Sequence, residues 1–126
     1  MFKIHLKEGT CDWKQFGEIS PKLGMIVYYV MGRLVDFGIQ EATITSLIRP
    51  KDKDCGIHAC MRAADIRIDF PMDIAKKIEQ EVNLLYPYDI NRPLYKTIIM
   101  HSSDDYNDNG IHLHIQVHKF GIKGNK

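Results

Sequence analysis

The sequence has little that would direct it to a nucleic acid or a membrane. Lys and Arg number 17 and Asp and Glu 16, so the net charge of +1 gives no basic excess for a phosphate backbone. The longest apolar run covers residues 25–31, much shorter than the ~20 residues that cross a bilayer. No apolar stretch follows the first charges of the N-terminus, so we expect no secretory signal and synthesis in the cytoplasm.

Cysteine is scarce as well. The three cysteines are Cys11, Cys55 and Cys60, an odd number that favours reduced thiols over a disulfide framework. Four residues separate Cys55 from Cys60, which is wider than the C-x₂-C start of a structural zinc site, and no second pair follows. A zinc site built from cysteines is therefore not expected.

What is present is typical of one globular domain. The chain has 126 residues, of which 44% are hydrophobic and 26% charged. This length suffices to bury a core without disulfides or structural metals. No repeat or linker divides the sequence, so we expect a single domain over residues 1–126, acting as a monomer.

The hydrophobic spacing predicts an α+β fold: two helices packed on a small, mostly antiparallel sheet. One helix begins after Ser20 as N-cap and ends at Gly38; the other follows Pro71 and puts Ile74, Ile78, Val82 and Leu85 on one side. Alternating or β-branched stretches predict strands at 42–48, 64–70, 96–102 and 111–120, the last two forming a hairpin, and Phe2, Ile4 and Leu6 favour a short edge strand.

The last predicted strand has an unusual distribution of histidines. Because side chains alternate along a strand, one row points into the core and the other points away from it. A row of imidazoles opposite an apolar row is typical of metal binding or acid–base chemistry, because solubility needs no histidine. The outward row is His112, His114, Gln116 and His118, and the inward row is Ile111, Leu113, Ile115 and Val117.

A second candidate element is the segment from His58 to Asp65. An imidazole from a loop and a carboxylate at the start of a strand can surround one ion. With one histidine of the 112–118 strand they supply two nitrogens and one oxygen. Three protein ligands leave a fourth position for water, as in catalytic zinc sites.

Together these segments resemble the zinc D-alanyl-D-alanine carboxypeptidases and related peptidoglycan endopeptidases. That family has a strand ending in S-x-x-R, then S-x-H-x-x-G-x-A-x-D, and later E-x-x-H or H-x-H; residues 46–49, 56–65 and 112–114 follow this order here. The resemblance implies that His58, Asp65 and His114 bind zinc. It also implies that His112 is the base beside the attacking water and that Arg49 orients the substrate.

The resemblance further implies the D-Ala-D-Ala metallopeptidase fold and cleavage of peptidoglycan stem peptides, as in a phage endolysin. Three positions depart from the family pattern. Gly56 replaces the serine, Met61 replaces the glycine, and Asn109 stands three residues before His112, where E-x-x-H would need a glutamate. Either His112 or an aspartate of the 104–108 loop therefore has to act as base. A catalytically degenerate zinc-binding module of a phage or cell-wall assembly is the alternative.

A third interpretation uses the histidine strand alone. The pattern His112-x-His114-x-Gln116 also looks like the histidine-triad nucleotide hydrolases and transferases, in which the middle histidine attacks an α-phosphate. This interpretation gives no role to Arg49, His58 or Asp65, and the sequence has no glycine-rich phosphate loop. Zinc content would separate it from the two other interpretations.

Overall fold

The structure, a computed structural model, describes residues 1–8, 11–47, 63–91, 94–101 and 111–117. Its elements are those of an α+β protein, with three helices and five strands in this part of the chain. In chain order they are β1 (Lys3–Leu6), α1 (Trp13–Glu18), α2 (Pro21–Asp36), β2 (Glu41–Ser46), β3 (Ala63–Arg67), α3 (Met72–Leu85), β4 (Ile98–His101) and β5 (His112–Gln116).

The five strands form one mixed sheet in the order β1-β2-β3-β5-β4. Strand β1 pairs parallel with β2, and the three other pairings are antiparallel. The predicted sheet type, the hairpin of β4 and β5 and the short edge strand at the N-terminus are all confirmed. Helix α1 was not predicted; it is only six residues long, and Asp12 caps it by accepting a hydrogen bond from the backbone N–H of Gln15 (2.9 Å).

Helix α2 begins and ends where the sequence predicts. Pro21 is its first residue, and Gly38 follows its end with a φ of 85°, a conformation that favours glycine. The N–H groups of Gly38 and Ile39 donate to the carbonyls of Val35 and Leu34, both at 2.9 Å, which is a Schellman motif. Ser20 occupies the N-cap position, as predicted, although its hydroxyl makes no capping hydrogen bond.

The core lies between helices α2 and α3 and one face of the sheet. Strand residues of that face, such as Ile44, Ile66 and Leu113, are fully buried against the apolar sides of the helices. In the predicted apolar rows of α3 and β5, two positions are exposed, against the prediction. Leu85 is 54% exposed at the last turn of α3, and Ile111 is 40% exposed because it precedes β5 rather than lying within it.

A charged cluster joins the two long helices at the surface. The guanidinium of Arg33 donates to both carboxylate oxygens of Glu81, at 2.8 and 2.9 Å, and the hydroxyl of Tyr29 donates to Glu81 Oε1 at 3.0 Å. The hydrogen bonds from Arg33 lower the pKa of Glu81, and the same pairing raises the pKa of Arg33. The pKa of Tyr29 is raised, mainly by burial and to a smaller extent by the hydrogen bond to Glu81.

Helix α3 also protects the sheet edge formed by β4. The side-chain amide of Asn83 donates to the carbonyl of Ile98 and accepts from its N–H, both at 3.0 Å. In an antiparallel pair of strands, hydrogen-bonded and non-hydrogen-bonded residue pairs alternate. Thr97 and Gln116 are hydrogen-bonded, so the next residue, Ile98, points its N–H and carbonyl away from β5. Asn83 therefore replaces a neighbouring strand at this position, which is one way that proteins shield a sheet edge.

No helix within the described residues has both the length and the apolar character needed to span a bilayer.

Candidate functional site

The candidate site lies on the sheet face that α2 and α3 leave uncovered. Antiparallel pairing of β3 with β5 sets Asp65 directly opposite His114 and Arg67 opposite His112. Directly paired residues point to the same side of a sheet, so the carboxylate and both imidazoles share one face. The predicted outward row of β5 is confirmed for His112, His114 and Gln116; His118 lies outside the described residues.

A buried carboxylate is the centre of this face. Asp65 is only 2% exposed, and its Oδ1 lies 2.9 Å from Nδ1 of His114. The same oxygen is 3.9 Å from Nε2 of His112. The two histidine side chains remain 13% and 14% exposed, so this group of three reaches the surface through its imidazoles. A buried carboxylate is costly unless it is paired or coordinates a cation, and these imidazoles supply pairing.

Gln116 extends the group along the strand. Its side-chain Oε1 lies 3.1 Å from Nε2 of His114, and its Nε2 donates to the backbone carbonyl of Lys96 at 2.9 Å. Both ring nitrogens of His114 thus face a protein oxygen. The sequence analysis placed Gln116 on the face of the site but assigned it no role in a zinc site. Only the fold brings the Lys96 carbonyl next to the Gln116 side chain.

Strand β2 is irregular beside Asp65. Ile44 pairs with Ile66, whereas Ser46 pairs with Asp65, so two residues of β2 lie opposite one residue of β3. This is the pattern of a β-bulge, which bends a strand and redirects its side chains, often next to a functional site. Ser46 begins the Ser-x-x-Arg segment of the sequence and is itself buried. Arg49, three residues further on, lies outside the described residues.

The five predicted site residues thus fall into two groups. Asp65, His112 and His114 are brought together by the pairing of β3 with β5. His58 and Arg49 belong to the segment that the structure does not describe. Within the described ranges, no set of three or more His, Cys, Asp or Glu side chains is arranged so that it could hold a metal ion.

The chemistry of the donors nevertheless suits zinc, which binds imidazole nitrogen and carboxylate oxygen. Two ligands of a tetrahedral zinc with bonds of about 2.0–2.1 Å lie about 3.3 Å apart. Asp65 Oδ1 and His114 Nδ1 are 2.9 Å apart. The distance between the two atoms would have to increase by about 0.4 Å to fit that geometry. A small rotation of the imidazole ring supplies such a displacement.

Comparisons of the chain with models of protein families, with curated proteins and with solved structures found no match. The geometry of the site and the sequence motifs are therefore the basis for assigning a function.

Proposed function

We propose that this protein is a zinc-dependent peptidase that cleaves the stem peptides of peptidoglycan. The observation that carries the proposal is the Asp65 carboxylate, 2% exposed and shared by His114 and His112 on one sheet face. A core that only needed to be stable would gain more from an apolar residue here, since burying a carboxylate costs several kcal/mol.

Three residues would hold the zinc in this proposal. Asp65 and His114 are the two described ligands, and His58 is the third by resemblance. Zinc with three protein ligands lowers the pKa of a water molecule to about 7 and polarises a substrate carbonyl. Asp65 would contribute the only negative charge among these three ligands. The site with zinc bound would therefore keep a net positive charge, which attracts the carbonyl oxygen of the substrate.

The remaining residues would handle protons and substrate. His112 takes a proton from the attacking water and returns it to the amine that leaves when the peptide bond breaks. Its Nε2 is the ring nitrogen that faces the Asp65 carboxylate, at 3.9 Å, so it is aimed at the site. Arg49 would orient the substrate through a carboxylate, for which its planar, permanently charged guanidinium is suited.

The proposal is tested by digestion of purified peptidoglycan. Zinc-loaded wild-type protein is incubated with sacculi of several stem-peptide types, and the released fragments are identified by mass spectrometry. Release of free D-alanine identifies a carboxypeptidase, and release of shorter peptides identifies an endopeptidase. His114→Ala, prepared in parallel, controls for contaminating hydrolases.

Two results would replace this proposal with an alternative. Stoichiometric zinc without release of any fragment from any wall type would identify a zinc-binding module that has lost activity, as the replacements at Gly56, Met61 and Asn109 suggest. Absence of zinc together with hydrolysis of nucleoside phosphates would identify a histidine-triad-type enzyme.

A further inference from the structure

The side-chain amide of Gln116 lies between the backbone of Lys96 and one predicted zinc ligand, His114. The residue is 9% exposed, and both ends of its side-chain amide are engaged, one with Lys96 and one with His114. These contacts have a direction, because the backbone carbonyl of Lys96, which faces one end of the amide, can only accept. That direction determines which nitrogen of His114 carries a hydrogen.

The Lys96 carbonyl fixes the orientation of the Gln116 amide. A backbone carbonyl only accepts hydrogen bonds, so the NH₂ group of Gln116 must face it, at 2.9 Å. The amide oxygen of Gln116 is then left facing Nε2 of His114, at 3.1 Å. An amide oxygen also only accepts, so Nε2 of His114 must carry a hydrogen and donate it.

The opposite nitrogen of the ring is thereby assigned as well. With its hydrogen on Nε2, a neutral imidazole has its lone pair on Nδ1. That lone pair faces Asp65 Oδ1 across 2.9 Å. A ring protonated on both nitrogens would instead donate from Nδ1 to Asp65 Oδ1, and a metal bound at Nδ1 would take the place of that second hydrogen.

We propose that Gln116 is a positioning residue, which holds the hydrogen of His114 on Nε2 and so keeps Nδ1 available to a metal. The metal in this statement rests on the proposed function; the position of the hydrogen does not. Without Gln116, the Asp65 carboxylate is the strongest acceptor beside the ring and draws the hydrogen to Nδ1. A hydrogen on Nδ1 blocks the nitrogen that faces Asp65.

The test measures the hydrogen and the metal separately. Nitrogen NMR of the histidine side chains, recorded on the metal-free protein at mildly alkaline pH, reports which ring nitrogen is protonated. We expect Nε2–H at His114 in the wild type and a shift toward Nδ1–H in Gln116→Met, which keeps the length of the side chain but has no acceptor oxygen. Zinc affinity, measured by competition with a chelator, should fall about 10–100-fold in that variant, as is usual for partners of metal-bound histidine.

Two further variants make the result specific. Gln116→Glu loses the donor to the Lys96 carbonyl but retains an oxygen for the Nε2–H of His114, whereas Gln116→Met loses both, so the glutamate variant should keep that hydrogen in place and bind zinc better than Gln116→Met. Gln80→Met makes the same change at an exposed position of α3 and should behave as wild type.

Several outcomes would overturn the proposal. The proposal fails if His114 of the wild type carries its hydrogen on Nδ1. This measurement uses only the wild-type protein, so it does not depend on whether a variant folds. It also fails if Gln116→Met leaves the position of the hydrogen or the zinc affinity unchanged, or if Gln116→Glu loses the Nε2–H. If the hydrogen moves as expected but the wild type binds no zinc, the positioning role of Gln116 stands and the peptidase function is wrong.

Discussion

Asp65 of β3 and His114 of β5 are directly paired, and Asp65 Oδ1 lies 2.9 Å from His114 Nδ1. Side chains alternate along a strand, so a register slip of one residue would turn His114 into the core and bring an apolar side chain against Asp65. Leu113 and Ile115 flank His114 and are fully buried under the helices. Burial of these two residues fixes the register, and the register in turn fixes the site.

The first prediction concerns the carboxylate. Asp65→Asn keeps the size of the side chain but removes its charge, so zinc content measured by elemental analysis should fall from one ion per chain to background. Asp69→Asn removes a carboxylate from an exposed position four residues along the chain and should retain full zinc. His58→Ala should match Asp65→Asn, because each leaves only two protein ligands. Stoichiometric zinc in both variants would show that the site is assigned wrongly.

The second prediction separates the roles of the two histidines. His114→Ala should lose both zinc and activity. His112→Ala should retain zinc but lose about 10²–10⁴-fold in turnover, the usual contribution of general acid–base catalysis. Zinc content and peptide release are measured on the same preparations. If His112→Ala loses zinc while His114→Ala keeps it, the roles are reversed, and the base has to come from the 104–108 loop.

The third prediction concerns Arg49. Replacement by lysine keeps the charge but removes the planar, two-pronged guanidinium, so turnover on peptidoglycan should fall while zinc content stays unchanged. Thermal unfolding of the same variant is the control. A large loss of folding stability in Arg49→Lys would mean that the residue has a structural role instead.

The fourth prediction tests the protection of the β4 edge by Asn83. Asn83→Ala leaves the buried N–H and carbonyl of Ile98 without their side-chain partners. An unsatisfied buried polar group costs about 1–3 kcal/mol, so the free energy of unfolding in urea should fall by that order. Gln80→Ala, on the exposed side of the same helix, should be close to neutral. Equal stability of the two variants would contradict the role of Asn83.

The fifth prediction is a pH dependence at the junction of α2 and α3. Hydrogen bonds from Arg33 lower the pKa of Glu81, so the folded state favours the charged carboxylate. The stabilisation is therefore fully present above the ordinary glutamate pKa of about 4.3 and is lost as the pH falls through the lowered pKa of the folded protein.

Glu81→Gln removes this charge and tests that dependence. It should be less stable than wild type at neutral pH, and the difference should shrink toward acidic pH. Urea midpoints at a series of pH values measure this, with Glu18→Gln at an exposed position as control. A difference that stays constant with pH would exclude ionisation of Glu81 as its cause.

Much of the fold could be predicted because its signals are local. Pro21 and Gly38 mark the ends of α2 through the fixed φ of proline and the positive φ that glycine tolerates. The alternation along β5 assigned His112 and His114 to one face and Leu113 to the other, since successive side chains of a strand point in opposite directions. Helix α1 gave no such signal, because six residues are too few to show a hydrophobic period.

The sequence by itself therefore determined the order of the two long helices and the five strands, most of their apolar faces and the residue types of the candidate site. Only the tertiary structure decided that β3 lies next to β5 with Asp65 opposite His114, that β2 bulges beside Asp65, and that Gln116 meets the Lys96 carbonyl. The periodicity of apolar residues depends only on neighbours a few positions apart, so it can be recognised in the sequence itself. Strand order and register join residues up to 53 positions apart, such as Ala63 and Gln116, and burial of the shared core selects them.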